Sequence, residues 1–439
     1  MEQTRKHFTH DALIATVRSS FLKSLNRIKI SEKEPKTTFS DIDCIMGAMA
    51  MFTFKYSSLL QFDNDLKVSP ALGNNLKNLF LLENCPSDTC MRERLDLIDY
   101  TVYRKAFAYI FATLQRAKLL NDFRFLEKYY LCSLDGTGIF SSKKVHCQNC
   151  CEKHHSDGSI TYYHQMLMCA LVHPDKKVVF PFAPEPIMKT DGAEKNDCER
   201  NAAKRWIADL RREHPHLNAV ITADGLFANE PFIQILKDHD LHYILVCKEA
   251  DHKYLTDWVL AADKYDKPSL DLVTTDGIKK HYVYMHNVPL NGSTTDCFVN
   301  VIRYTEEQDG KVRNWMFVTD LPVNLGNIGD LVKGGRSRWK IENETFNTLK
   351  NQGYNFEHNY GHGKRHLHTG LAYLMSIVFF VDQCLQLVNK FFQLALDRTG
   401  SKKKLWNLML AVLYFFELSN MESLYSLITH PPPLAAPMI

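Results

Sequence analysis

Through the first 125 residues, apolar positions recur at intervals of three and four. The stretches "DIDCIMGAMAMFTFKYSSLLQF" and "LIDYTVYRKAFAYIFATLQRAKLL" show the pattern best, and it predicts amphipathic helices. Beyond Phe125 the pattern changes. "YYLCSLDGTGIF", "YYHQMLMCALV" and "KVVFPFA" are short β-type runs, the first with an apolar part ending at Asp135. A helix is predicted from Asn196, where Asn196 and Glu199 have capping-box spacing. "NAVITAD" predicts a fourth strand ending at Asp224, "NEPFIQILKDH" a helix, and "HYILVCK" a fifth strand ending at Lys248. Three strands, helix, strand, helix, strand is an α/β order: a mixed sheet flanked by helices.

From about Ala250 to Asn327 the texture is β-rich again. "LDLVTTDG", "KKHYVYMHNV", "TTDCFVNVIRYTEE" and "RNWMFVTDL" predict antiparallel strands joined by turns, an inserted subdomain. The chain then divides into a helical region (1–125), a first core part (126–249), the β-rich insertion (250–330), core helices (331–395) and a helical tail (396–439). The most apolar run, Gly370 to Val381, ends at Asp382. Spanning a bilayer takes about 20 apolar residues, so this run predicts a buried helix and no membrane partner.

Composition narrows the class. With 439 residues, 45% hydrophobic and 23% charged, the chain is neither disordered nor fibrous. A net charge of +3 is too small to imply nucleic-acid binding by itself. Local clusters matter more: the first thirty residues hold Arg5, Lys6, Arg18, Lys23, Arg27 and Lys29 against Glu2 and Asp11. Such a segment suits phosphate contact or a solvated helix face. The N-terminus lacks the apolar core of a signal peptide, so the twelve cysteines are expected reduced, in the cytoplasm.

Asp135 and Asp224 are each followed by Gly, and each is predicted at the C-terminal end of a strand. Strand ends project side chains over a sheet edge, where open α/β folds bind ligands. Two such carboxylates on adjacent strands, completed by a glutamate from a packed helix, suit Mg²⁺, which takes hard oxygen donors. The glutamate is expected in "RSRWKIENETFNTLKNQG", where Glu342 and Glu344 sit among Arg and Lys. Glu342 is preferred, because Arg338 lies one helical turn before it.

"LDGTG" around Asp135, "TADGLFAN" around Asp224 and "RWKIENETFNTLKNQGY" around Glu342 resemble the DDE transposases of bacterial insertion sequences. The likeness covers roughly Tyr129 to Gly363. It is strongest to the group with an RNase H-like core, a β-rich insertion and a tyrosine–arginine–glutamate–lysine signature. The resemblance implies Asp135, Asp224 and Glu342 as catalytic metal ligands for Mg²⁺, with Mn²⁺ as a substitute. It implies hydrolysis at transposon ends and attack of the freed 3′-OH on target DNA, by a homodimer on nucleoid DNA in a bacterial cytoplasm. Arg338 matches the signature arginine and would hold phosphate, as would Lys350. Two departures stand out: Gly335 replaces the tyrosine, and Lys350 follows Glu342 by eight residues instead of seven. On an α-helix seven residues return to within about 20°, whereas eight leave about 80°. An RNase H-like nuclease without strand transfer, and a retired transposase that only binds DNA, share the same carboxylates.

Three features stand outside that trio. Trp339 offers a ring to stack on a displaced base, or to pack under the sheet. "VHCQNCCEKHH" offers Cys147, Cys150, Cys151 and His154 as structural Zn²⁺ ligands within one loop. "EHNYGHGKRHLH" holds His358, His362, His366 and His368, but Gly361 and Gly363 make it a loop better suited to phosphate contact or capping.

Overall fold

The computed structural model describes residues 8–27, 39–189, 197–261, 268–275, 277–292 and 296–432. Six helices form where the three-and-four spacing predicts them: α1 (His10–Leu25), α2 (Asp41–Thr53), α3 (Leu59–Val68), α4 (Pro70–Phe80), α5 (Asp88–Leu97) and α6 (Thr101–Arg116). The first five begin on Thr9, Ser40, Ser58, Ser69 and Ser87. Each of these side-chain oxygens accepts a first-turn N–H that the helix itself cannot satisfy. Of the basic N-terminal residues, Arg5, Lys6 and Lys29 lie outside the described residues, and Lys23 lies over the Tyr109 ring.

Eleven strands follow: β1 (Tyr130–Ser142), β2 (Cys151–His154), β3 (Ile160–Val172), β4 (Phe180–Pro181), β5 (Glu185–Ile187), β6 (Ala219–Ala223), β7 (His242–Cys247), β8 (Ser269–Val273), β9 (Lys279–Pro289), β10 (Phe298–Gln308) and β11 (Lys311–Thr319). They make one mixed sheet in the order β2-β3-β1-β6-β7-β11-β10-β9-β8, with β4 and β5 paired to β3. β1–β6 and β6–β7 are parallel, and the other pairings are antiparallel. The strands expected between 250 and 330 are present. β11 pairs with β7 and carries the core sheet onward.

Helices α7 (Glu199–Glu213), α8 (Glu230–Asp238) and α9 (Lys253–Ala261) lie between strands, with α10 (Ile328–Arg336) following the sheet. Helix α7 starts at Glu199 with Cys198 as N-cap and no side-chain cap; Asn196, expected to open it, lies outside the described residues. After α10 come a π-helical turn (Ile341–Phe346), α11 (Asn347–Asn351), α12 (Leu367–Val388), α13 (Lys390–Thr399), α14 (Lys402–Phe415) and α15 (Met421–Thr429). Helix α12 is long and apolar enough to cross a membrane, yet most of it is buried inside the protein. Asp382 does not end it. The carboxylate stays within the helix, 5% exposed, because Lys55 Nζ at 2.7 Å and the Tyr354 hydroxyl at 2.6 Å satisfy it.

Arg104 of α6, 6% exposed, docks the N-terminal helices on the sheet layer. Its guanidinium reaches Glu185 of β5 at 3.2 Å, and Asp209 and Glu213 of α7 at 2.9 Å each. It also donates to the Pro184 carbonyl and the Tyr373 hydroxyl on α12. One buried cation thus joins four elements, and removing it strands carboxylates away from water. Arg104→Ala is expected to cost about 3–5 kcal/mol in chemical denaturation. A loss below about 1 kcal/mol would mean that the network is solvated and weak.

Candidate active site

Asp135 does not end its strand. β1 runs on to Ser142 against β3, but its parallel pairing with β6 stops at Ser133, opposite Thr222. β6 ends at Ala223, and Asp224 is the next residue, accepting the Leu226 N–H at 3.0 Å in a short turn. Asp135 thus stays in the sheet beside β3, and Asp224 follows the last residue of β6, where β1 and β6 part. There Asp135 also accepts the Gly136 N–H at 2.9 Å.

The glutamate arrives from above this point. Arg338 Nη1 lies 3.1 Å from Asp135 Oδ2 and 2.8 Å from Glu342 Oε1, so one guanidinium nitrogen bridges two carboxylates. The Arg338 backbone is fixed as well, because the buried Ser133 hydroxyl of β1 donates to its carbonyl at 2.8 Å. Burial pushes the Asp135 carboxyl up to about 7. The Arg338 guanidinium and the Gly136 N–H oppose that rise, while the charges of Asp224 and Glu342 add to it. The charges of Asp224 and Glu342 thus act on Asp135, although among the described residues only the cysteine loop brings three metal-ligating atoms within 4.8 Å of one another. Glu344 faces away, toward Lys340 and Lys402.

Gly335 has a local reason. A Cβ there would lie 2.5 Å from Phe317 Cε1, and one on Gly334 would lie 2.7 Å from Phe125 Cζ. Helix α10 approaches the sheet too closely for any larger residue, so a tyrosine at 335 would have to displace Phe317. Trp339 is 51% exposed, with Arg338 Cζ 4.6 Å from its ring centre, so it does not pack under the sheet. Lys350 pairs with Glu357 at 2.8 Å.

A fourth carboxylate was not legible in the sequence. Glu199, in the first turn of α7, lies directly over Gly136, where any Cβ would collide with its carboxylate. Burial, and then the Asp224 charge, raise its pKa. The Gly after Asp135 was the available signal: it marks a close approach, but nothing in the sequence says by what.

The cysteine loop differs from its expected ligand set. Cys147 Sγ, Cys150 Sγ and His164 Nε2 of β3 come together. Cys151 turns away and donates to the Ile187 carbonyl at 3.5 Å, and His154 lies exposed beside Glu152. Cys151, the first residue of β2, faces opposite to Cys150 beside it, since neighbouring extended residues point opposite ways. The hydrogen bond with Cys150, the largest cause, and that with His164 pull the Cys147 thiol down to about 4, although burial opposes them.

No family model and no curated protein matches the chain. Among solved structures, a piggyBac transposase in a synaptic complex with hairpin DNA is similar over 98% of this chain and 82% of its own. The identity is 12% and the TM-score 0.40, too low to establish a shared fold.

Two substitutions probe the site. Arg338→Gln leaves Asp135 and Glu342 without their shared cation and is expected to cost about 3 kcal/mol at pH 8. Asp135 binds its proton more tightly folded than unfolded, so it becomes neutral as pH falls through about 7. The cost should therefore shrink by pH 5, and denaturation at the two pH values checks it. In Gly136→Ala the three atoms nearest the new methyl all belong to the flexible Glu199 side chain. Stability should change by less than about 1 kcal/mol while the Glu199 carboxylate is displaced, which crystallography of the variant would reveal. Unfolding of that variant would mean that Glu199 is locked in place.

Proposed function

We propose that the protein is a DDE transposase of the bacterial insertion-sequence type, with an RNase H-like core. Its reaction is cleavage of DNA at the ends of a mobile element and joining of the freed 3′-OH to target DNA. The observation that carries this reading is the Arg338 guanidinium bridging Asp135 and Glu342, with the Asp224 charge acting on Asp135, where β1 and β6 part.

The donor set suits a divalent cation. Its donors are carboxylate oxygens, and the charges of Asp224 and Glu342 add to the rise that burial gives the Asp135 carboxyl. Asp135, Asp224 and Glu342 would hold Mg²⁺ or Mn²⁺, which supplies Lewis-acid stabilisation of charge on a phosphodiester. The chain's own residues do the rest. Arg338 orients Asp135 and Glu342 and offers positive charge beside a phosphate. Exposed Trp339 presents a face for an unstacked base, and Lys350 a further phosphate contact. Water and then the 3′-OH act as in-line nucleophiles. The N-terminal helices recognise the element ends, and two copies act on paired ends.

The test uses purified protein, Mg²⁺ or Mn²⁺, and DNA that flanks its own reading frame. Wild type should nick this DNA and join a 3′-OH donor to a target plasmid. Asp135→Asn should cut at least about 100-fold more slowly while still retarding the same DNA in a gel. Cleavage at the wild-type rate by that variant would remove the trio from the chemistry. Cutting without joining would instead mark a nuclease.

A further inference from the structure

The cysteine loop between β1 and β2 meets the histidine loop before α12, and the contact is built from metal-binding atoms. Cys147 Sγ and Cys150 Sγ are 3.8 Å apart, and each lies close to His164 Nε2, at 3.4 and 3.3 Å. Both cysteines are free thiols, and that separation is far beyond a disulfide bond. Zinc distances near 2.3 Å to sulfur and 2.0–2.1 Å to nitrogen give tetrahedral edges of about 3.8 Å for S···S and about 3.6 Å for S···N. The three atoms already stand near the corners of such a tetrahedron.

A second observation comes from a different part of the chain. His362 Nε2 is shut off from solvent and has no hydrogen-bond partner among the described residues. Its other nitrogen, Nδ1, lies 3.1 Å from Asn359 Oδ1, an acceptor, so Nδ1 carries the hydrogen and Nε2 a lone pair. That is how metal-bound histidines are held: the far nitrogen donates and the near one ligates. A buried lone pair with no partner is costly, so the site favours something that can accept it. The His362 ring lies 5.3 Å from the His164 ring and packs edge-on against Phe140. Two imidazoles on one tetrahedral ion have ring centres about 5 Å apart.

The loop bearing His362 is itself anchored. The Asp96 carboxylate of α5 accepts the backbone N–H groups of Lys364, Arg365, His366 and Leu367 at 2.8–3.0 Å. Asn149, between the two cysteines, donates to the Arg365 carbonyl at 2.6 Å. The two loops are held face to face without a metal.

We propose that Cys147, Cys150, His164 and His362 form a structural Zn²⁺ site that clamps the β1–β3 hairpin to the segment following the Glu342 turn. Four protein ligands suit a closed structural ion and leave no place for substrate, and His362, outside the 4.8 Å group that the other three form, closes on the ion when it binds. The clamp has a geometric purpose. His164 pairs opposite Phe140, and Asp135 opposite Met168, on the same two strands. Four residues of strand span about 13 Å, so the ion grips the Asp135 hairpin one short lever arm away. Its other ligand comes from the loop between α11 and α12, the continuation of the chain that carries Glu342. Arg338 is one tie between the Asp135 strand and the Glu342 segment, and the metal is a second.

The experiment reads metal without DNA, so it stands apart from the transposase reading. The full chain, purified without chelator, should contain about one zinc per chain by mass spectrometry of the element. Replacing zinc with Co²⁺ should give the intense visible bands of a tetrahedral thiolate site. Cys147→Ser combined with Cys150→Ser should remove both signals. His362→Ala should weaken zinc at least tenfold in competition with a chromophoric chelator, while Cys151→Ser and His154→Ala should leave it unchanged. Wild-type protein that neither holds zinc nor takes up Zn²⁺ or Co²⁺ added at micromolar excess overturns the proposal, whatever the variants do. Unchanged affinity in a folded His362→Ala overturns the fourth ligand, and loss of zinc in the Cys151 or His154 variants overturns the ligand set.

Discussion

The close contact of α10 with the sheet governs the geometry of everything built above it. Gly334 and Gly335 have no side chains, so the helix settles against Phe125 before β1, Ile244 of β7 and Phe317 of β11. Protein interiors are packed densely enough that a single added carbon would move the helix outward. With the helix seated, the chain beyond it falls within reach of β1, and the Ser133 hydroxyl takes hold of the Arg338 carbonyl. Only then does the Arg338 guanidinium bridge Asp135 and Glu342. The second half of the sheet takes part in this. β11 supplies the Phe317 platform, so the strands after residue 268 belong to the foundation of the site.

That dependence explains which features could be read from the sequence. The six N-terminal helices were legible because their signals are local: apolar spacing of three and four, with a Ser or Thr cap before α1 to α5. β1, β3, β6 and β7 were legible as apolar runs, and Asp224 as the residue that follows one. Long-range pairing was not. Nothing in "RNWMFVTDL" says that this strand will pair with "HYILVC" and extend the sheet, since register depends on a partner far away in the chain. Asp135 was misplaced for the same reason: the strand continues past it because β3 accompanies it after β6 has left. His164 and Glu199 were hidden inside patterns that already had an adequate explanation, a β run and a helix start.

The signature segment departs from a plain α-helix in a way that bears on its lysine. In an α-helix from Glu342 onward, Lys350 would stand about 80° away from the glutamate. The structure instead makes Ile341–Phe346 a π-helical turn. Its i→i+5 hydrogen bonding accommodates one more residue than an α-turn. Eight residues across such a turn cover nearly the angle that seven cover in an α-helix. The present partner of Lys350 is Glu357, whose side chain is 59% exposed. An exposed ion pair of that kind contributes little, within about 1 kcal/mol, because water competes for both charges. On the transposase reading a phosphate can take the place of Glu357 at small cost. The same turn keeps Glu344 on the side of Lys340 and Lys402, leaving Glu342 as the glutamate that meets Arg338.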